Sequence, residues 1–261
     1  MITTMISYSS FHMLLGVMSV LALVVFVALY FVKAGYGMFR TASWGWSIDN
    51  RLAWVLMEAP VFVVMWWLWA ASGVGMSQPL FLFFLLFQLH YAQRSFLFPC
   101  LMKGRSKMPL AIMLMGVVFN LLNGMMQAGG LFYYPADSAY AEGWAYLLHP
   151  HAWLGLLLFF AGMAINLHSD HVIRHLRHPG DTRHYLPQKG FYRYVTSANY
   201  FGELVEWTGF ALLTASPAAW VFVWWTFANL VPRAHAIYRR YVEEFGAEQV
   251  GRRKRIFPFI Y

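Results

Sequence analysis

Two side chains set in apolar surroundings and one long polar passage hold the chemistry in this sequence. Glu58 lies in W-V-L-M-E-A-P-V-F, inside a stretch apolar enough to cross a membrane. A carboxyl is expensive there and is a functional candidate, as a neutral hydrogen-bond donor or a poised acid. The competing reading is a packing glutamate that bonds a nearby backbone. Pro60 opens the helix locally by freeing a carbonyl one turn earlier. Trp54 stands four residues before Glu58, on the same helical face, where it could stack on an apolar ligand. Tyr91 lies in Q-L-H-Y-A-Q-R-S-F, where Gln88, His90 and Arg94 gather within two turns. A tyrosine at that depth is ordinarily an aromatic-belt residue. A phenol of pKa about 10 nevertheless stays protonated at neutral pH and can donate to a carbonyl oxygen. If their helices pack together, Glu58 and Tyr91 form a carbonyl-polarising pair.

The polar passage runs from Asn166 to Trp207. Asn166, Asp170, Arg174 and Arg177 recur at steps of four, four and three, which places them on one helical face. Asn199, Glu203 and Glu206 do the same at the far end, and H-P-G and L-P-Q-K-G reverse the chain between them. Two polar faces joined by a basic loop suit a large, polar, anionic ligand. An ordinary basic membrane-side loop accounts for the Arg and Lys residues, but not for Asn199, Glu203 and Glu206 beside an apolar span. His168, His171, His175 and His178 are spaced three, four and three. They read mainly as a solvated loop face, and no metal is expected.

The elements that must position these groups are membrane helices. Of 261 residues, 60% are hydrophobic and 11% charged, against about 25% charged in a soluble domain. One cysteine, Cys100, excludes an internal disulfide and argues against a Cys-based metal site. Apolar runs predict seven spans, near 11–32, 53–72, 79–98, 109–128, 146–166, 198–215 and 217–232. All 19 Lys and Arg fall in five places: 33–51, Arg94, 103–107, 174–193 and 233–255. Seven spans put every basic segment on one side, which the positive-inside rule assigns to the cytoplasm, with the N-terminus outside and the C-terminus inside. The first span lacks a basic leader and a small-residue cleavage pattern, so it reads as retained. The net charge of +8 therefore reflects orientation, and no nucleic acid is implied.

The polar passage then faces the cytoplasm, where phosphorylated cofactors are found. Arg105, Lys107, Arg177, Arg183 and Arg233 could meet phosphates as charge-assisted pairs, or could simply attract anionic lipid. No G-x-G-x-x-G and no P-loop is present, so a nucleotide would be held by helices and loops rather than by a Rossmann unit.

N-L-H-S-D-x-x-I-R-x-L-R-x-P-G followed by P-Q-x-G-x-x-x-Y-V-x-x-A-N-Y-F-G-E-x-x-E-W resembles the C-terminal half of the steroid 5α-reductases, a half shared with enoyl-CoA reductases of fatty-acid elongation. R-x-A-W-x-x-x-E-x-P, L-H-Y-x-x-R-x-F, K-G-R and the basic ending before P-F-I-Y extend the likeness from about Tyr36 onward. The resemblance implies NADPH-dependent reduction of the 4,5 double bond of 3-oxo-4-ene steroids. By the family's pattern, Glu58 and Tyr91 hold the 3-keto oxygen. Tyr36, Arg105, Asn166, Asp170, Arg177, Asn199, Glu203, Arg233 and Tyr241 stand at NADPH-contacting positions. Trp54 and Phe119 are expected to line the path of an apolar substrate entering from lipid. Met102, His184 and Ile237 depart from common family residues.

The expected architecture is all-α, one membrane domain over 1–261. Residues 1–145, with spans one to four, carry the substrate side, and 146–261 carry most of the cofactor side. The host membrane is a bacterial inner membrane or endoplasmic reticulum, and no obligate protein partner is evident. Competing readings are an enoyl-CoA or isoprenoid enone reductase, a membrane methyltransferase using S-adenosylmethionine, and a transporter. No internal repeat supports the last.

Overall fold

The structure, a computed structural model, describes all residues except 1–6, 34, 36, 40, 104–105, 136–137 and 177–182. Its elements are α1 (Tyr8–Phe31), β1 (Ser47–Asp49), α2 (Asn50–Ser72), α3 (Pro79–Ala92), a π-helical turn (Gln93–Leu97) and α4 (Phe98–Leu101). There follow β2 (Lys107–Pro109), α5 (Leu110–Ala128), a second π turn (Gly129–Tyr133), α6 (Pro150–Arg174), α7 (Ala198–Thr214), α8 (Pro217–Phe245) and α9 (Ala247–Val250). Five helical segments are long and apolar enough to cross a membrane: Tyr8–Phe31, Asn50–Ser72, Pro79–Leu101, Leu110–Tyr133 and Pro150–Arg174. Along α1, Val20 (63% exposed) and Val24 (57%) point outward with other aliphatics. Such a face suits hydrocarbon rather than water.

Local signals account for the boundaries. The Asp49 carboxylate accepts from the N–H groups of Arg51 (2.9 Å) and Leu52 (3.2 Å) and caps α2. Gly73, at φ 77°, ends that helix in the left-handed region. Pro79, Pro150 and Pro217 open α3, α6 and α8, where their missing N–H is no loss. The sequence places the fifth span at 146–166, whereas α6 starts at Pro150 and runs on to Arg174. Its polar last turns stay helical because they pack on α7. Likewise α8 continues well past residue 232 to Phe245.

β1 and β2 pair antiparallel, Ile48 opposite Met108. The pairing ties the starts of α2 and α5 together, so the two helices leave side by side and in the same direction. Residues of equal depth then meet: Asn120 reaches Met57 and Glu58, and Gly124 packs on Val61 and Val64.

The tightest contact lies between the antiparallel α6 and α7. A Cβ built at Gly202 would lie 2.5 Å from the backbone N of Asn166 and 2.8 Å from the carbonyl of Gly162. Gly162 meets the Glu206 and Gly202 backbones in the same way, and Gly155 and Gly209 repeat the contact seven residues away. Small residues at this spacing let two helix backbones touch, as in membrane helix pairs generally. The polar faces read from the sequence are thereby pressed together.

Candidate active site

Tyr91 is buried in the last turn of α3. Its ring packs on Phe87 (centroids 4.7 Å), His90 (5.1 Å) and Trp207 (5.9 Å). Its hydroxyl oxygen accepts from Asn123 Nδ2 at 3.0 Å. That acceptance leaves the phenolic proton free to point elsewhere. Glu58, on α2, accepts from Asn120 Nδ2 at 3.0 Å, and the same amide donates to the Met57 carbonyl at 2.8 Å. Asn120 and Asn123 are three residues apart on α5 and share a face. One helix thus holds both the carboxyl and the phenol, which lie within electrostatic reach of each other. Gln127 extends the row: its amide donates to Asn123 Oδ1 (3.3 Å) and to the Ala218 carbonyl (3.0 Å).

The π turn after α3 carries Arg94. A π insertion rotates the residues beyond it relative to an α-helix, and such insertions are common at functional sites. The guanidinium lies over the rings of Trp54 (4.7 Å) and Phe98 (4.4 Å), and its Nη1 meets Asp170 Oδ2 at 3.3 Å. Trp54 therefore faces a cation as well as the interior. Asp170 Oδ1 accepts from Asn199 Nδ2 (3.1 Å), and Asn166 Nδ2 donates to the Asn199 carbonyl (3.0 Å). His90 Nδ1 and Glu206 Oε1 lie 2.7 Å apart, both buried. Arg94 thus pairs with the Asp170–Asn199 group and lies within electrostatic reach of Glu58 and Tyr91.

Glu203 stands among these groups, within electrostatic reach of Glu58, His90, Tyr91, Asp170 and Glu206, and makes no hydrogen bond among the described residues. The hydroxyls of Ser95, Ser169 and Ser197 are buried and unpartnered among the described residues. Among the described residues, the four carboxyls of Glu58, Asp170, Glu203 and Glu206 thus gather around the Arg94 guanidinium and the His90 imidazole, with Arg174 also within electrostatic reach of Asp170. Such a surplus of acceptors fits a ligand that brings N–H and O–H donors, such as a carboxamide or a ribose.

The remaining expected residues are more dispersed. Phe119 turns toward α8 and packs on Trp225 (4.8 Å). Tyr241 is buried beside Leu186 and Val250, and Arg233 is partly buried on α8. Tyr36, Arg105 and Arg177 lie outside the described residues. Tyr192, in the loop before α7, points its hydroxyl at Asn199 Oδ1 (3.4 Å). Burial, with Asp170 adding to it, pushes this phenol well above its ordinary range. Gly190, in L-P-Q-K-G, adopts φ +60° with the His168 ring against it, so a side chain there meets both strain and a clash. The His171 and His175 rings lie 4.1 Å apart, tilted by 30°, and no group of three metal-ligating side chains gathers among the described residues.

Residues 106–261 match the 3-oxo-5-alpha-steroid 4-dehydrogenase family. Over 246 residues the chain is 37% identical to "3-oxo-5-alpha-steroid 4-dehydrogenase 1" of Bos taurus, covering 92% of this chain and 93% of the relative. The chain belongs to the steroid 5α-reductase family. It is also 35% identical over 257 residues to "Steroid 5-alpha-reductase DET2" of Gossypium hirsutum, covering 96% of this chain and 97% of the relative. Identity to "3-oxo-5-alpha-steroid 4-dehydrogenase 2" of Sus scrofa is 36% over 248 residues, covering 90% and 91%. The first part of the chain, with Glu58 and Tyr91, thus lies within the likeness, although the family match begins only at residue 106.

Sequence reasoning passed over Asn120 and Asn123. Their signal was present: two asparagines and a glutamine at i, i+3 and i+7 form a polar stripe in a span with no other purpose for one. The His90–Glu206 pair carried no such signal, because its members lie 116 residues apart.

Proposed function

We propose that this protein reduces the 4,5 double bond of 3-oxo-4-ene steroids to 5α-3-oxo steroids at the expense of NADPH. The observation that carries this reading is the buried Tyr91 hydroxyl, held by Asn123 so that its proton is free, with Glu58, held by Asn120 on the same helix, within electrostatic reach. An enone becomes electrophilic at its β-carbon once its carbonyl is polarised. Tyr91 donates to the 3-keto oxygen and, supported by Glu58, stabilises the charge that grows there. NADPH, when bound, would supply hydride to C5, and protonation of the resulting enolate at C4 completes the reduction. Asn166, Asp170, Asn199 and Glu203 are the groups for its carboxamide and ribose donors. Tyr36, Arg105, Arg177, Arg233 and Tyr241 complete its site, with the arginines meeting its phosphates. Arg94, gripped by Asp170 and the Trp54 and Phe98 rings, joins the two halves and closes the polar end against water. Trp54 and Phe119 line the apolar side, which steroid enters from lipid.

The reading includes seven spans, with N-terminus outside and C-terminus cytoplasmic, in one domain over 1–261. Two features support α7 and α8 as the last two spans. α7 lies backbone to backbone against α6, and α8 packs along α1. The shared origin of α2 and α5 at the paired strands agrees with the alternation.

The test is steroid-dependent loss of NADPH absorbance by purified protein, with chromatography of the product and Glu58→Gln alongside. A 5α-reduced product from wild type and loss of turnover with retained cofactor binding in Glu58→Gln are expected. NADPH binding without turnover of any 4-ene-3-oxo steroid refutes the substrate and directs attention to enoyl thioesters.

A further inference from the structure

The C-terminal turn carries a second feature, well separated from Glu58 and Tyr91 in the sequence. Ile256 is fully buried, and the N–H groups of Ile256 and Phe257 both donate to the Tyr261 backbone oxygen at 2.9 Å. Closing this turn puts Phe259 at φ 67°, a left-handed conformation that is an outlier for a bulky residue. The turn leaves Phe259 78% exposed and Ile260 81% exposed. Beside them lies a groove of about 480 Å³ lined by Arg193, Tyr194, Gln249, Arg252, Arg253 and Phe259, among others. Arg253 forms a fixed wall, bonded to the carbonyls of Tyr192 (2.8 Å), Gln249 (2.8 Å) and Val250 (3.0 Å). Arg193 and Arg252 are exposed and make no hydrogen bond or ion pair among the described residues. None of the described residues lining the groove is acidic.

The depth of this groove is set by α1. Phe26 stacks on Phe227 (5.9 Å) and Phe227 on Phe257 (6.1 Å). Tyr30, in the last turn of α1, faces the His235 ring at 5.6 Å, and His235 Nδ1 lies 3.5 Å from the Tyr261 hydroxyl. The turn is thus pinned to the end of a candidate span, the level at which a bilayer meets water. At such a level, exposed aromatic and aliphatic side chains suit the acyl boundary, and guanidiniums suit headgroups.

We propose that this groove binds the phosphate headgroup of an anionic phospholipid, with Phe259 and Ile260 dipping into the acyl boundary. Arg193 and Arg252 supply the charge, and the strained turn presents the apolar pair. The bound lipid would also steady the entrance to α7. The residues just before that helix pair with the tail, Thr196 N–H donating to the Lys254 carbonyl (2.9 Å) and Ser197 N–H to that of Arg255 (3.1 Å). This inference rests on the membrane reading of the helices and is independent of the catalytic one.

The test is native mass spectrometry of the detergent-purified full chain, titrated with phosphatidylglycerol, phosphatidylcholine and inorganic phosphate. Wild type should prefer phosphatidylglycerol. R193Q/R252Q should weaken that lipid about thirtyfold, from the loss of two cations at an anionic surface. R193K/R252K should recover most of the loss, and F259A should weaken both lipids. Unchanged thermal stability of R193Q/R252Q in detergent, with NADPH binding retained, shows that the fold is intact. The single variants R193Q and R252Q, at about fivefold each, carry the same test if the double variant is unstable. A wild-type lipid preference in the glutamine variants overturns the proposal. So does inorganic phosphate that displaces phosphatidylglycerol at equal concentration, which identifies a soluble-anion site instead.

Discussion

Replacing Tyr91 by Phe removes one oxygen from the candidate site and little else. The ring keeps its contacts with Phe87, His90 and Trp207, each with centroids within 5.9 Å, so Phe should occupy the same place. The loss divides into two separable parts. Loss of a donor aimed at a developing oxyanion lowers kcat by about 100- to 1,000-fold, or ~3–4 kcal/mol in the barrier. Meanwhile Asn123 Nδ2 loses its acceptor in a fully buried position, which destabilises the fold by ~1–3 kcal/mol. Asn123 keeps the bond from Gln127, so the asparagine should not swing away. The variant should therefore fold, bind NADPH as wild type does, and keep KM within about threefold while kcat collapses. Asn123→Ala, which leaves the hydroxyl but frees its orientation, should fall about tenfold in kcat. If Asn123 acts through Tyr91, Asn123→Ala/Tyr91→Phe should be no slower than Tyr91→Phe alone. The assay is steady-state NADPH oxidation with a 4-ene-3-oxo steroid, with cofactor affinity measured separately. A Tyr91→Phe variant keeping more than about one tenth of wild-type kcat, against the expected 100-fold loss, refutes the role given to the phenol. Additive losses in the double variant refute the positioning role of Asn123.

Two further outcomes follow from packing and from charge. Gly162→Val should separate α6 from α7, since the atoms facing Gly162 are backbone and cannot yield. Overpacking of this kind costs about 1–3 kcal/mol or more. Weaker NADPH binding should accompany the drop in thermal stability, because Asp170 and Asn199 sit on opposite sides of that seam; wild-type stability and affinity together would sink the idea. Tyr192 has its folded-state pKa raised by burial, so its contribution to stability is complete below the ordinary phenol value of about 10 and is lost as pH rises through the higher folded value. Tyr192→Phe should accordingly soften the alkaline limb of a stability-against-pH curve, and an unchanged limb would count against the burial argument.

Local features of the chain were legible where one helix sufficed to express them. The apolar runs specify membrane helices, because burial in hydrocarbon selects residues by composition alone. The steps between Asn166, Asp170 and Arg174, and between Asn199 and Glu203, declare polar faces because helical spacing is fixed by geometry. Glu58 and Tyr91 stood out because an ionisable or donor group in a span has few ordinary uses.

What no single helix can express was left to the tertiary structure. Glycines at 155, 162, 202 and 209 acquire meaning only when two helices meet and their backbones touch. Pairing of β1 with β2 sets the relative depth of α2 and α5, and that depth decides that Asn120 reaches Glu58 while Asn123 reaches Tyr91. The π turn directs the guanidinium of Arg94 toward Trp54, Phe98 and Asp170, an aim that spacing along α3 alone does not give. His90 and Glu206 meet across 116 residues of chain. The sequence by itself determined which side chains could do chemistry and in which solvent they sit. Only packing decided which of them act on one another, because hydrogen bonds are short and the distances between helices are not written in the spacing along any one of them.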